Sequence, residues 1–406
     1  MSIFKEIPPT AGFPFFPKDL LSLCSRPALR GSIEDDFKKY LGAAYARLAC
    51  SGTAALWVIL ETLKELSAKR TVVIPSYLCP LVPLAVKRAG LKLEPCDINP
   101  EDFNFDGAQL KRICRQPDIL AVIPAHLAGI PLDLSETREI ASQNGIFIIE
   151  DCAQSLGAQY RGRNIGRDGD FAFFSLARGK GLTIYEGGMI ICNKKEYAAL
   201  LDKKAGQLLK NAFFPEALKI LELFGYWIFY RPQLFWFVFG MPQLFWRVRG
   251  RGLKAMGEEF SIDFPVHKVS AFRGKIAHCG FHRLEEEIAG QRQKAEYFIG
   301  ELKGCRGLKV LSEPPDSRAS YPFVVLLFDD PAKRDRVFGA LQHSGLGVSF
   351  VYALAINEYD YLKKDIAQAP LPAGASLAKR QLSLSTNRFL KKSDQVLLTE
   401  RIRSFL

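Results

Sequence analysis

The stretch "GIFIIEDCAQSLGAQYRGRNIGRDGDFAFFSLARGKGLTIYEGGMIIC" (145–192) indicates the fold of the chain. Its first run, "GIFIIEDCA", is short and rich in β-branched residues, and it carries no charge before its two adjacent carboxylates. Buried parallel strands have this character. A second run, "FAFFSL" (171–176), leads to a lysine between two glycines and then to a Glu-Gly-Gly. Three earlier runs resemble the first: "TVVIP" (71–75), "LKLEPCDI" (91–98) and "ILAVIPAHLAG" (119–129).

Helix-like segments alternate with these runs, at 53–66, 80–89 and 132–143. Strands and helices in alternation imply crossover connections. We therefore predict an α/β fold with a mostly parallel central sheet and helices on both faces. In such a sheet, ligands bind beyond the carboxyl ends of the strands.

The sequence changes in character after about residue 205, where a long aromatic segment begins. A helix-like stretch (266–303) and a strand, "YPFVVLLF" (321–328), follow it. The predicted parts are an N-terminal arm (1–30), a large α/β domain that includes an aromatic insert at about 205–255 (31–255), and a small C-terminal α+β domain (256–406).

The amino-acid composition indicates which classes of molecule the chain is suited to bind. The 406 residues carry a formal net charge of +12, which favours nucleotides, phosphates or acidic membrane surfaces. No basic tail or nucleic-acid-binding motif appears, which argues against nucleic acid. Nine scattered cysteines without a CxxC pair suit a reducing cytosol rather than a disulfide framework or a cysteine zinc site. The N-terminus lacks a charged start before an apolar run, so we expect no signal peptide and a cytoplasmic location.

Three roles compete for Lys180: a solvated surface charge, a phosphate-binding group, or an amine that bonds covalently to a cofactor. A Walker loop needs glycine six residues before the lysine and Ser or Thr after it, but Phe174 and Gly181 occupy those positions. The pair His278 and His282 lacks a third ligand, so we expect a solvated helix surface there and predict no metal site.

Covalent chemistry requires an amine at the end of a strand, partly desolvated so that it can lose its proton. Lys180 follows "FAFFSL" directly, and its glycine neighbours leave room for a bulky ring. If the cofactor is pyridoxal phosphate, the site also needs a carboxylate for the pyridine nitrogen, a phosphate cup at a helix N-terminus and a nearby hydroxyl. Asp151, "SGT" (51–53) and Ser175 are suitable candidates, and their order along one α/β unit favours this role.

The same order of motifs resembles the DegT-type sugar aminotransferases, which have the type I (aspartate aminotransferase) fold of pyridoxal-phosphate enzymes. The similarity extends over about residues 31–200, through "SGTAAL", "VVIPSY" and the stretch quoted first. It resumes at "RGKIAHCGFHRLEEEIAGQRQKAEYFIGEL" (273–302). The spacing from Ser175 to Lys180 and then to Glu186-Gly187-Gly188 matches the signature of the family.

The resemblance implies a role for each matching residue. Lys180 resembles the Schiff-base lysine, and Asp151 resembles the partner of the pyridine nitrogen. Gln154 resembles the residue near the phenolic oxygen of the ring. Because the lysine is present, the dehydratase branch, which has histidine there, is disfavoured. The residues that resemble cofactor phosphate ligands are Gly52, Thr53 and Ser175.

The chain departs from the family pattern at several positions. Cys79 stands where members usually carry an aromatic residue that stacks on the cofactor ring, so either Tyr77 replaces that residue or the sulfur caps the ring. Ala177 replaces a usual histidine or aromatic residue. The Asn-x-Arg that reaches the neighbouring subunit aligns with Asp263 and Pro265. These differences concern the substrate more than the cofactor.

The resemblance implies a homodimeric aminotransferase that moves an amino group from an amino acid, glutamate by analogy, to a keto group. The acceptor it implies is a nucleotide-linked keto-sugar of surface polysaccharide or secondary-metabolite synthesis. Two alternatives stay open at this point. One is the same chemistry on a non-sugar or membrane-attached ketone, and the other is a non-catalytic regulatory or structural protein of the same fold.

The aromatic segment 223–254 has no counterpart in that family pattern. Its uncharged run, 232–246, contains two prolines and is shorter than the roughly 20 apolar residues that a spanning helix needs. Three interpretations remain: an arm buried between subunits or domains, a membrane-surface element at the inner face of the membrane, or a substrate lid.

Overall fold

The computed structural model describes residues 5–22, 31–366 and 370–406. Its largest element is a sheet of seven strands: β1 (Tyr45–Ala49), β2 (Thr71–Pro75), β3 (Lys92–Cys96), β4 (Ile119–Val122), β5 (Phe147–Asp151), β8 (Phe171–Ser175) and β9 (Gly188–Cys192). Their order across the sheet is β1-β9-β8-β5-β4-β2-β3. The pairs β2–β3, β2–β4, β4–β5 and β5–β8 are parallel, whereas β9 runs antiparallel to both β8 and β1. The predicted mostly parallel sheet is confirmed.

The helices that flank this sheet arise where the sequence supplies caps and an apolar face. Up to residue 208 they are α1 (Pro17–Ser22), α2 (Ile33–Leu41), α3 (Gly52–Leu66), α4 (Leu81–Arg88), α5 (Gly107–Cys114), α6 (Ser135–Asn144) and α7 (Lys195–Leu208). Helix α3 begins at Gly52 because the Ser51 hydroxyl accepts the N–H of Ala54 at 3.0 Å, an N-cap that satisfies one free donor. Most of α3 is buried, as its nearly continuous apolar sequence requires.

The C-terminal part contains a smaller antiparallel sheet. Its strands are β10 (Leu308–Val310), β12 (Phe323–Phe328), β13 (Val348–Ser349) and β14 (Gln381–Ser385), in the order β10-β12-β14-β13. The helices beside it are α12 (Ala271–Phe281), α13 (Leu284–Leu302), α14 (Pro331–Leu341), α15 (Pro372–Arg380) and α16 (Lys392–Ser404). The expected small sheet domain is present, and the exact domain boundaries stay a prediction.

A third sheet joins the two parts. The hairpin of β6 (Gln159–Tyr160) and β7 (Arg163–Asn164) pairs with β11 (Ser317–Arg318), which precedes β12 of the smaller sheet. The pairing therefore ties the segment that follows Asp151 to the C-terminal part.

Residues 213–255, which include the aromatic segment 223–254, fold into four helices. They are α8 (Phe213–Phe229), α9 (Phe235–Val238), α10 (Gly240–Val248) and α11 (Gly252–Ala255). The N-terminal residues 5–22 run between these helices and the smaller sheet. The Glu6 N–H donates to Pro232 O at 2.8 Å, and the Ile7 N–H donates to Gly345 O at 2.9 Å. This part of the predicted arm is therefore a strap, while residues 1–4 and 23–30 of that arm lie outside the described residues.

Candidate active site

Asp151 and Lys180 meet at the carboxyl edge of the central sheet. Asp151 is the last residue of β5 and is 5% exposed. Burial raises its pKa to about 6, although a hydrogen bond from the Ala153 N–H at 2.9 Å and the nearby Lys180 ammonium oppose that rise. Burial also lowers the pKa of Lys180, against the opposing effects of Cys79 and Asp151. A lysine of this kind loses its proton more easily than a surface lysine, as a nucleophilic amine must.

The loop that carries Lys180 is held from outside the sheet. The Gly179 N–H donates to the Tyr226 hydroxyl of α8 at 3.2 Å, and Gly179 has a φ of +74°. Gly12 of the N-terminal strap lies so close that a Cβ there would fall 1.9 Å from the Lys180 carbonyl oxygen. Only glycine fits that approach. The strap and the aromatic helices therefore position the lysine loop together.

The N-terminus of α3 meets the end of β8, as the predicted phosphate cup requires. A Cβ on Gly52 would lie 3.2 Å from the Ser175 Cβ, and one on Gly188 would lie 2.3 Å from the Ser51 carbonyl carbon. Backbone N–H groups in the first turn of a helix have no intrahelical acceptor, and the helix dipole there favours an anion. Gly52 and Ser175 are therefore close together, and Thr53 lies in the first turn of α3; their role as phosphate ligands stays a prediction.

Gln154 connects the large sheet to the C-terminal part. Its Oε1 accepts the Ala128 N–H at 2.8 Å, and its Nε2 donates to the Tyr352 hydroxyl at 2.8 Å. Tyr352 follows β13, and burial raises its pKa well above the ordinary value, with the charges of Cys79 and Asp151 adding to the rise. Sequence reasoning missed Tyr352, because nothing in its local sequence places it beside residues that lie some two hundred positions earlier.

Tyr77 and Cys79, the two candidates for the missing ring-stacking residue, have different surroundings. Tyr77 is 1% exposed, and its hydroxyl both donates to Tyr352 O and accepts from Tyr352 N–H at 2.9 Å. Its ring meets the Tyr352 ring edge-on at 5.7 Å. Cys79 lies near Lys180 and Asp151, and burial raises its pKa to about 11, so its thiol is neutral near pH 7. Which of the two caps the cofactor ring stays a prediction.

Glu150, the neighbour of Asp151, anchors the strand end. Burial opposes its ionisation, but His126 and the backbone N–H groups of Gly169 and Gly166 outweigh burial and lower its pKa. The His126 Nε2 lies 3.2 Å from Glu150, while its Nδ1 accepts the Leu132 N–H at 3.0 Å. These contacts hold the end of β5 at Glu150 against His126 and the loop at Gly166 and Gly169.

The expectation of a solvated surface for the histidine pair is wrong for His278. His282 is exposed, but His278 is buried, with its Nδ1 2.5 Å from Asp36 Oδ2. Helix α12 packs that face against α2, which turns an apparent surface position into a buried, hydrogen-bonded one. Asp36, His278 and His282 offer ligand atoms within 4.8 Å of one another, as His126, Glu150 and Cys152 also do. Within these groups the hydrogen-bonded pairs are His278 with Asp36 and His126 with Glu150.

Comparison with known proteins places the chain in a family. Residues 29–210 and 266–403 match the DegT/DnrJ/EryC1/StrS aminotransferase family, and the chain belongs to this family. The interval between the two matches contains helices α8 to α11.

Individual relatives resemble the chain in part. GDP-perosamine synthase from Caulobacter vibrioides is 33% identical over 174 residues, which is 43% of this chain and 46% of that protein. The chain thus spans less than half the length of such curated relatives. The aminotransferase TlmJ from Streptoalloteichus hindustanus has a TM-score of 0.77 at 22% identity, with 98% of each chain covered. The E. coli GDP-4-keto-6-deoxy-D-mannose-3-dehydratase with bound hydrated PLP has a TM-score of 0.75 at 18% identity, covering 98% of this chain and 100% of that one.

Proposed function

We propose that the chain is a pyridoxal-phosphate-dependent aminotransferase that moves the amino group of an amino acid, glutamate by family analogy, to a nucleotide-linked keto-sugar. The observation that carries this proposal is the cluster at the sheet edge. It places a partly desolvated lysine, Lys180, beside a buried carboxylate, Asp151. The helix N-terminus at Gly52 and the Ser175 hydroxyl lie at the same edge. This donor set fits the cofactor, which supplies an electron sink for the reacting carbon when it is bound.

Each residue has a distinct task in this proposal. The Lys180 amine would hold the cofactor through its aldehyde, with loss of water, and would carry a proton between the two reacting carbons. Asp151 would hold the proton on the pyridine nitrogen, and Gln154 would serve the phenolic oxygen. Gly52, Thr53 and Ser175 would bind the phosphate. Tyr352 holds the Gln154 amide in place from the C-terminal side.

The substrate proposal rests on the family and on charge. GDP-perosamine synthase is named for a nucleotide-linked amino sugar, and the diphosphate of such a substrate suits a chain with a net charge of +12. Solved structures of this fold include both an aminotransferase and a dehydratase, so the fold does not choose the reaction. The presence of Lys180, where the dehydratase branch has histidine, favours amino transfer.

The deciding experiment separates the two halves of the reaction. Cofactor-loaded protein is mixed with glutamate and a panel of other amino acids, and the loss of the aldehyde absorbance is followed. Nucleotide-linked keto-sugars are then added, and the aminated product is detected by mass spectrometry. Conversion of at least one sugar supports the proposal. If no amino acid supports the first half-reaction, the non-catalytic alternative replaces it.

We propose in addition that the chain forms a homodimer and contacts a membrane surface through residues 223–254. No helix among the described residues has the length and apolar character needed to cross a bilayer, so this contact would be peripheral. Of the fifteen large apolar side chains that are exposed in the described ranges, thirteen lie between Phe213 and Met256. Arg247, Arg249, Arg251 and Lys254 lie beside them, and each cation near an anionic surface contributes about 1 kcal/mol.

Sedimentation and flotation test these two proposals. Analytical ultracentrifugation measures the oligomeric state. Flotation with anionic and neutral vesicles compares the wild type with the triple variant Arg247→Glu, Arg249→Glu and Arg251→Glu. Binding to anionic vesicles that this variant loses supports the membrane contact. If the wild type binds neither vesicle and deletion of 223–246 splits the dimer, the segment is an assembly arm.

A further inference from the structure

A cavity of about 660 Å³ lies between the lysine loop, the N-terminal strap and helices α8 to α11. Its volume is within the roughly 300–1,000 Å³ that small-molecule sites occupy. Seven of its twenty lining residues are aromatic, and much of the wall comes from the interval that the family match leaves out. The aromatic wall residues are Tyr185, Tyr226, Phe229, Tyr230, Phe235, Phe239 and Trp246.

The charged groups of this wall are two cations and one carboxylate. Lys254 Nζ lies 3.9 Å from the ring centroid of Trp246, and the Arg178 guanidinium lies 5.1 Å from that of Tyr185. The carboxylate is Glu222, which shares Lys219 Nζ with Glu186, each at 2.8 Å. The cavity therefore offers an apolar interior with two cations in its wall.

We propose that this cavity binds one acyl chain of an anionic phospholipid, with the headgroup phosphate beside Lys254 and Arg178. The inference deepens the proposed membrane contact and rests on it. Exposed apolar side chains surround the cavity, among them Phe229, Val238 and Met256, which are also part of its wall. A chain from the bilayer would thus pass continuously from the lipid into the protein.

Charge argues against a second copy of the chain as the molecule that covers this surface. A two-fold contact centred on this surface would bring the same patch of both copies together. The basic residues between Arg247 and Lys254 would then face their counterparts, and like charges in close contact are unfavourable. An anionic lipid instead complements both the cations and the apolar wall.

The cavity shares groups with the lysine loop. Gly179 and Tyr226 line it, and the hydrogen bond between them holds the backbone next to Lys180. An acyl chain in the cavity therefore packs directly against Gly179 and Tyr226, whose hydrogen bond positions the lysine loop. Lipid binding and cofactor chemistry remain separate measurements, because the two ligands occupy different sites.

The experiment uses tryptophan quenching by phosphatidylglycerol vesicles whose acyl chains carry bromine at mid-chain. Trp246 in the cavity wall reports the chain, and Trp246→Phe identifies its share of the signal. Gly225 lines the cavity, and a Cβ there meets no atom within 4 Å, so Gly225→Leu fills the space without backbone strain. Gly206→Leu is the matched control, because Gly206 lies in helix α7, is exposed and also meets no atom within 4 Å.

We expect Gly225→Leu to float with anionic vesicles but to lose the mid-chain quenching, while Gly206→Leu behaves as the wild type. Lys254→Gln should weaken the preference for phosphatidylglycerol over phosphatidylcholine without abolishing it, because Arg247, Arg249 and Arg251 remain, and inorganic phosphate alone should not change the emission. Unchanged quenching in Gly225→Leu, or a wild type that floats with neither lipid, overturns the inference. Amino transfer to a nucleotide-linked sugar is assayed separately, so failure of the lipid site leaves the proposed function standing.

Discussion

Replacing Asp151 with asparagine should change the stability of the chain and the rate of its proposed reaction in opposite directions. The carboxyl is 5% exposed, and burial raises its pKa from 3.8 to about 6 in the cofactor-free protein. This difference corresponds to about 3 kcal/mol of unfolding free energy. Because the folded pKa is the higher one, the folded chain keeps its proton longer as the pH rises. The free energy of unfolding therefore falls between about pH 4 and pH 6, and the loss is complete above that window.

The asparagine side chain carries no charge and can still accept the Ala153 N–H, so Asp151→Asn removes this pH dependence. At pH 8 we expect the cofactor-free variant to be more stable than the wild type by about 2 kcal/mol, less than the full electrostatic gain because the new amide donor is buried. At pH 4 most of the electrostatic gain is gone while the buried amide donor remains, so the variant should be slightly less stable than the wild type. Cofactor-loaded Asp151→Asn should keep its cofactor, but its half-reaction with glutamate should slow by several orders of magnitude, because the charge that holds the pyridine proton is gone.

Urea unfolding of the cofactor-free proteins at pH 4 and pH 8 measures the stability difference, and stopped-flow absorbance measures the half-reaction. Asp316→Asn makes the same chemical change at an exposed position and should alter neither quantity. A variant that is less stable than the wild type at pH 8, or a difference that is equal at both pH values, refutes the electrostatic reasoning. A near-normal half-reaction would mean that another acid serves the pyridine nitrogen.

Three further substitutions test the remaining contacts. Borohydride reduction should fix the cofactor to the Lys180 peptide, and Lys180→Ala should bind cofactor only reversibly; a label on another lysine contradicts the assignment. Tyr352→Phe leaves the Gln154 amide without its acceptor and should lower the unfolding free energy by about 1–2 kcal/mol in urea; an unchanged value excludes this contact. Gly188→Ala places a Cβ 2.3 Å from Ser51 and should destabilise the chain by about 1–3 kcal/mol. It should also weaken binding of pyridoxal phosphate more than of pyridoxal, whereas equal weakening contradicts the phosphate cup; Gly206→Ala is the neutral control.

The region around Lys180 shows which features of the structure can be predicted from local sequence. Short apolar runs with helix-like segments between them can form only a few packed arrangements, so the mostly parallel sheet followed from periodicity alone. Asp151 and Ser175 end neighbouring strands, β5 and β8, and the carboxyl ends of parallel strands meet at one edge. Their proximity was therefore predictable from the order of residues along the chain.

Other features depend on contacts between distant parts of the chain. The burial of His278 comes from the packing of α12 on α2, which no helical pattern in the sequence specifies. The hydroxyl of Tyr352 reaches Gln154 only because the smaller sheet lies against the larger one. The cavity beside the lysine loop likewise exists only once helices α8 to α11 have folded around it.

The sequence by itself determined the helices and strands, their order along the chain and the residue types at the strand ends. The helices and strands follow from local periodicity, and the residues that share one sheet edge follow from the direction of parallel strands. The tertiary structure alone decided which distant groups share a desolvated space, since burial and electrostatic contact depend on packing between segments. The pKa of Asp151 shows the difference. The residue type gives an ordinary value of 3.8, and only the surrounding protein, through burial, brings it to about 6.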